Sequence, residues 1–255
     1  MELGMIGLGR MGKNMAIRLM RGGHKVVGYN RSEDGYPDFL KEGGVRAGGV
    51  ADLVGKLGAP KAVWVMLPSG DPTESTLVEL TGLLKPGDVV IEGGNSNFND
   101  SKRRAAMFKA KGIGYLDAGT SGGIWGLTVG YCLMVGGEAA DYQRIEPLFK
   151  TLAPPDGCLH SGPSGAGHYT KMVHNAIEYG MMQSYAEGFE LMNASEYEFD
   201  MHATAHLWNQ GSVVRSWLLE LAERAFQEDA RLASLTDWVD DSGEGRWTMI
   251  ESINR

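Results

Sequence analysis

The chain runs to 255 residues, 43% hydrophobic and 22% charged, which is enough for one large or two modest folded domains and excludes disordered or collagen-like sequence. A formal net charge of −8 excludes a nucleic-acid partner held by general electrostatics, while leaving room for a small anion met by local donors. Two cysteines, Cys132 and Cys158, are too few for a disulfide framework, and no apolar run approaches the ~20 residues of a bilayer span, so the expectation is a soluble cytoplasmic protein with no signal peptide and no membrane partner.

Residues 3–6 read as a first strand. Gly7-Leu8-Gly9-Arg10-Met11-Gly12 follows, then a helical stretch to Arg21 closed by Gly22-Gly23, then a second strand over 25–29. Between a strand and a helix this spacing is a strong dinucleotide signal: the first glycine permits the tight turn, the second lets backbone approach the pyrophosphate, and the third allows helix–strand packing. The helix N-terminus adds N–H groups and partial positive charge for the phosphates. An acid closing the second strand would hold a ribose 2′-hydroxyl and repel a 2′-phosphate, but the chain has Asn30-Arg31-Ser32 there. Arg31 can pair with phosphate and stack on adenine, and Ser32 can donate, so the expected cofactor is NADP. Glu33 and Asp34 close by keep NAD as the alternative.

The alternation continues with a helix over 50–57, a buried strand over 62–67, a helix over 73–84, a strand over 89–91, a helix over 100–111 and a strand over 115–117. This predicts an α/β fold opening with a Rossmann-type, doubly wound parallel sheet, whose ligands lie beyond the carboxyl ends of the strands. Leu67, Pro68 and Ser69 follow one such end and fall on the cofactor side. Asn95 follows another and can touch both substrate and nicotinamide ribose. Ser121, Gly122 and Gly123 follow a third and offer a hydroxyl and close backbone N–H groups to a carboxylate. After about residue 170 glycine thins and helix formers take over. The expected domains are a dinucleotide-binding domain, 1–163, and an all-helical substrate and dimerisation domain, 164–255, with helices over 166–192, 201–208, 213–226 and near 230–238. Leu218, Leu219, Leu221 and Ala222 read as an apolar subunit interface, hence a homodimer or homotetramer.

One stretch concentrates the chemistry: Lys171-Met172-Val173-His174-Asn175-Ala176-Ile177-Glu178-Tyr179. In a helix, positions three, four and seven after Lys171 return to its face, so Lys171, His174, Asn175 and Glu178 form one polar stripe. Met172, Val173, Ala176 and Ile177 occupy the other faces, and the helix is expected to be packed on several sides. An ammonium, an imidazole, an amide and a carboxylate placed together there each cost desolvation unless paired or used. His202 and His206 also have helical spacing, but without a carboxylate motif they read as surface or core, and no metal is expected.

These pieces resemble the decarboxylating 6-phosphogluconate dehydrogenases, within the wider β-hydroxyacid dehydrogenase superfamily. The resemblance covers essentially the whole chain and rests on residues 7–12, Asn30-Arg31-Ser32, Gly93-Gly94-Asn95-Ser96, Ser121-Gly122-Gly123, the 171–179 stretch and Ser242-Gly243-Glu244-Gly245-Arg246-Trp247-Thr248. His174, with the Ile177-Glu178-Tyr179 that follows, is the specific part, because the wider superfamily usually has asparagine at the histidine. The resemblance implies a pentose phosphate pathway enzyme acting on 6-phosphogluconate. Lys171 would be the general base for the 3-hydroxyl and would later donate to the carbonyl oxygen during CO2 loss. Glu178 would protonate C1 of the enediol. His174 and Asn175 would hold substrate hydroxyls, Asn95 and Ser121-Gly122-Gly123 the carboxylate end, and Tyr179 the phosphate. Lys171 would have to be neutral near pH 7, which burial and a nearby cation favour, and Glu178 would have to carry a proton when it acts.

The chain is similar to the short members of that family. Long members are nearly twice its length, and even short ones usually continue past Ile253-Asn254-Arg255 into a helix with a phosphate-binding arginine, so the helical domain reads as truncated. Ser242 stands where long members have a substrate-binding lysine, and Arg246 is the only nearby cation in that loop, so weak phosphate anchoring is expected. Two alternatives stay open: a dehydrogenase of an unphosphorylated 3-hydroxy acid, and a non-catalytic NADP-binding regulatory module.

Overall fold

The computed structural model describes all residues, 1–255, as two compact units, Met1–Met172 and Val173–Arg255. The first unit is built on β1 (Glu2–Ile6), α1 (Arg10–Arg21), β2 (Lys25–Tyr29), α2 (Tyr36–Lys41), β3 (Val45–Arg46), α3 (Val50–Lys56), β4 (Ala62–Val65), α4 (Asp71–Leu83), β5 (Val89–Glu92), α5 (Phe98–Lys109), β6 (Gly114–Ser121), α6 (Gly126–Val129), β7 (Cys132–Gly137), α7 (Ala139–Leu152) and β8 (Cys158–Gly162). The strands form one sheet in the order β3-β2-β1-β4-β5-β6-β7-β8.

The first six strands are parallel, as the βα alternation requires. β4 and β5 are buried at every position, and their side chains alternate between two cores. Trp64 and Ile91 pack with Met15, Leu19 and Phe149 from α1 and α7. Val63, Val65 and Val90 pack with Leu53, Leu77, Leu80 and Phe108 from α3, α4 and α5 on the opposite face. The sheet is not parallel throughout: β7 runs antiparallel to β6, and β8 lies parallel to β7. Neither strand, nor α7 between them, stands out in the βα pattern, because β7 ends in two glycines and α7 contains Pro147.

The helix α8 (Ala166–Asn193) crosses the unit boundary; α9 (Met201–Asn209), α10 (Trp217–Glu228) and α11 (Glu244–Asn254) follow. The second unit has a small core of Phe189, Ala205, Leu219 and Phe226, in which Phe189 stacks on Trp208 and meets Phe226 edge-on. Leu219, expected at a subunit interface, is fully buried in this core. The helix expected near 230–238 is absent. Asp229 there accepts N–H bonds from Arg231 and Ser234 and wraps the chain into turns, with Leu232 at φ +51°. Conversely, the loop expected over 242–248 opens α11, and α10 begins at Trp217 behind a cap, the Ser216 hydroxyl accepting from the Leu219 N–H. Helix α8 packs on fewer sides than its composition implies: Met172 is buried, but Ile177 is 60% exposed. No helix is long and apolar enough to cross a membrane.

Candidate active site

The motif loop joins β1 to α1 in a turn only glycine fits. Gly7 has φ +96°, and a Cβ there would run into the Met66 carbonyl, while a Cβ on Gly12 would meet the Gly7 carbonyl. Gly9, the N-cap of α1, faces open space and has no side-chain cap. An open helix N-terminus without a side chain across it fits a dinucleotide pyrophosphate. Residues Gly7, Leu8, Gly9, Arg10, Met11 and Gly12 thus make the turn expected of them.

Asn30 ties this loop to the end of β2. Its Oδ1 accepts the Leu8 N–H at 3.0 Å and its Nδ2 donates to Ser32 Oγ at 3.1 Å, so the amide shapes the loop. Arg31 and Ser32 are exposed. Glu33, the acid that would oppose a 2′-phosphate, is held in a two-pronged pair by Arg46, whose guanidinium lies 4.3 Å from the Tyr36 ring centre. Both partners are largely solvated, so the pair turns the carboxylate aside more than it stabilises the fold. Leu67, Pro68 and Ser69 follow β4, and the Pro68 carbonyl accepts from the Thr73 hydroxyl at 2.8 Å. Parallel pairing puts all these segments, with 93–96 and 121–123, at one edge of the sheet.

Asn95 sits in the left-handed region, φ +49°, and its amide is docked on β6: Oδ1 accepts the Thr120 N–H at 2.9 Å and Nδ2 donates to the Thr120 carbonyl at 3.1 Å. One N–H and one lone pair of that amide remain for a ligand. Beside it, Ser96 is buried with its hydroxyl unpartnered. Ser121 ends β6, and Gly122 and Gly123, at φ +132° and +52°, turn the chain into a short helical turn. Lys171 is 5% exposed, and its Cβ lies against Gly119, which has no side chain to hold it off.

On the same continuous helix, in the second unit, His174 Nδ1 lies 3.2 Å from Asn175 Oδ1 and 3.7 Å from Glu178 Oε2. Asn175 is buried, and His174 and Glu178 are half-buried. The Tyr179 hydroxyl meets Ser242 Oγ at 2.9 Å, and Gly245 lies against the Tyr179 ring. Arg246 pairs with Asp241 at 3.0 Å, both exposed. Glu244, which the sequence offered only as part of the 242–248 motif and with no role of its own, is the first residue of α11 and is 8% exposed with Oε2 unpartnered. Its signal was present: a carboxylate between two glycines at a helix start is favourable for the helix dipole and costly to bury. An amine, an imidazole and a carboxylate are each groups that can take or return a proton, and an amide can hold a hydroxyl.

Residues 2–162 match the family model described as the NAD binding domain of 6-phosphogluconate dehydrogenase, and residues 167–255 match the model of that enzyme's C-terminal domain. The chain is 46% identical to the NAD(+)-dependent, decarboxylating 6-phosphogluconate dehydrogenase of Haloferax volcanii, aligning over 100% of its own length and 85% of the relative's. It is 36% identical to the decarboxylating 6-phosphogluconate dehydrogenase of Synechococcus elongatus, over 99% of this chain and 57% of that one. Among solved structures, Plasmodium falciparum 6-phosphogluconate dehydrogenase, studied apo, with its cofactor NADP+ and with its substrate 6-phosphogluconate, superposes with a TM-score of 0.88 at 29% identity, covering 100% of this chain and 58% of that one.

Proposed function

The chain belongs to the 6-phosphogluconate dehydrogenase family, a family of oxidoreductases, and from that premise we propose that it converts 6-phosphogluconate to ribulose 5-phosphate and CO2 with reduction of NADP. The observation that carries this is the α8 face, where a buried Lys171 precedes His174, Asn175 and Glu178 at helical spacing. Lys171 Nζ takes the proton of the substrate 3-hydroxyl. A dinucleotide held by its pyrophosphate at the 7–12 loop would supply a nicotinamide as acceptor for the hydride leaving C3. Protonated Lys171 then donates to the C3 oxygen as the carboxylate departs, and Glu178 delivers a proton to the carbon that CO2 has left, substrate C2, which becomes C1 of ribulose 5-phosphate. Residues 1–163 serve as the cofactor domain and 164–255 as the substrate and dimerisation domain. Asn95 and Ser121-Gly122-Gly123 take the carboxylate end, His174 and Asn175 the hydroxyls, and Tyr179 with Ser242 the phosphate.

A dehydrogenase of an unphosphorylated 3-hydroxy acid is the second reading, and the Arg246–Asp241 pair favours it, because the cation of that loop is already engaged by a carboxylate. Absorbance at 340 nm with 6-phosphogluconate and with gluconate separates the two. Turnover of the phosphorylated substrate alone supports the first, and turnover indifferent to phosphate overturns it.

Arg31 is the cation for a 2′-phosphate, since Arg46 is engaged with Glu33. Arg31→Leu is expected to weaken NADPH binding about 10–100-fold, the worth of one or two charge-assisted bonds, and to leave NADH binding within about twofold. Quenching of protein fluorescence by each reduced cofactor measures this, and equal loss for both removes Arg31 from the specificity site. We also propose a homodimer or homotetramer, supported by exposed apolar side chains of the second unit such as Leu191, Leu207 and Ile253. A monomeric mass at micromolar concentration contradicts it.

A further inference from the structure

Two carboxylates lie side by side beneath α5, and only one has a cation. Glu92 on β5 and Asp117 on β6 are register partners on the sheet, both fully buried. Glu92 is paired with Arg104 at 2.6 Å and accepts the Tyr115 hydroxyl. Asp117 has no ion pair. Its Oδ1 accepts the N–H of Gly165 at 2.7 Å and its Oδ2 the N–H of His168 at 2.9 Å. Gly165 immediately precedes α8, has φ +94° and carries no side chain, so it cannot cap its own helix. The cap comes from a strand residue 48 positions earlier.

That cap belongs to a docking device in the first unit. A Cβ on Gly167 would enter the carbonyls of Asp117 and Met134 and the Gly136 nitrogen, and a Cβ on Gly119 would enter Lys171 Cβ. The first turn of α8 therefore rests on the backbones of β6 and β7 with no side chain between them. His168 adds a lateral tie, its buried Nδ1 lying 2.7 Å from Ser101 Oγ on α5. Lys171 is one turn beyond these contacts.

Resting on the function proposed above, we infer that Asp117 is a positioning residue for Lys171: by capping α8 from β6 it fixes the height and rotation at which the lysine is presented. A base displaced by about 1 Å loses about 100-fold in rate, whereas binding contacts made by other residues persist. Asp117→Ala leaves two buried N–H groups unpaired, and Asp117→Asn restores one acceptor. The test measures kcat and KM with 6-phosphogluconate and NADP, NADPH affinity by fluorescence, and hydrogen exchange of residues 166–172 by mass spectrometry. Expected is a kcat lowered about 10–100-fold in Asp117→Ala and less in Asp117→Asn, in step with faster exchange, with KM and NADPH affinity within about twofold of wild type. If Asp117→Ala does not fold, Asp117→Asn carries the test alone. A folded variant with faster exchange and wild-type kcat would reduce Asp117 to a structural cap and overturn the inference. So would a fall in kcat with exchange unchanged, or one matched by equal loss of NADPH affinity. Wild-type protein without turnover would instead refute the function on which the inference rests, while the exchange data still report on the cap.

Discussion

Lys171→Met is expected to lower kcat by about a thousandfold or more while leaving NADPH affinity within about twofold of wild type. Methionine keeps the unbranched length that fills the space against Gly119 and removes the amine. No other side chain on that turn of α8 can take its place: Met172 is apolar, and His174 and Glu178 lie three and seven residues on, about 4.5 and 10.5 Å along the axis. The cofactor loop at 7–12 is formed by β1, α1 and β2 contacts that do not involve Lys171, so binding should survive. Because methionine keeps the packing against Gly119, the variant should fold with a thermal midpoint close to that of wild type. Single-turnover absorbance at 340 nm, fluorescence titration and a melting curve test the three parts. Retained turnover would exclude Lys171 as the base, and lost NADPH binding would mean that the variant had disturbed the fold.

The largest expected effect on stability comes from Arg104, which is 1% exposed and joins three elements. Its Nη1 pairs with the fully buried Glu92 at 2.6 Å, and its Nε with Glu74 at 2.8 Å. Arg104→Met strands the Glu92 carboxylate in the core with only the Tyr115 hydroxyl, a cost of about 3–5 kcal/mol. The double variant Arg104→Met/Glu92→Met should recover more than half of that loss, because an apolar replacement of both partners removes the charge that had to be solvated. Denaturant melts of the four proteins of this cycle measure it, and additive losses would mean that the pair is not coupled.

The same residue leaves an acid-side signature. The guanidinium of Arg103, with that of Arg104, holds the Glu74 carboxyl at about 2, below its ordinary 4.5. A depressed carboxylate contributes stability that is present above its unfolded value and lost as pH falls from about 4.5 through about 2. That loss should be smaller in Arg104→Met.

What the sequence disclosed was local. The strand, Gly7–Gly12 turn and α1 lie within about twenty residues, and the polar stripe of α8 needs only helical spacing, so both can be read from one window. Residues joined only by the sheet were hidden. Asp117 reads as an ordinary strand-end acid until Gly165 and His168 arrive some 50 residues later, and Asn95 becomes a docked amide only when Thr120 is paired to it. The false helix near 230–238 has apolar residues at plausible spacing, but Asp229 offers its backbone stronger local bonds as turns. Glu244 takes no role from the sequence because its segment reads as a glycine-rich loop, while in the fold Gly243, at φ +99°, ends the loop and α11 starts at the acid.

The most direct test follows the carbon that leaves. With [1-13C]6-phosphogluconate and NADP, 13CO2 by mass spectrometry is counted against NADPH at 340 nm in wild-type protein. Labelled CO2 and NADPH appearing one to one, with ribulose 5-phosphate as the product, is the result expected from Lys171 and Glu178 acting in turn. NADPH formed without labelled CO2, or cofactor bound with neither product, would contradict oxidative decarboxylation by this chain.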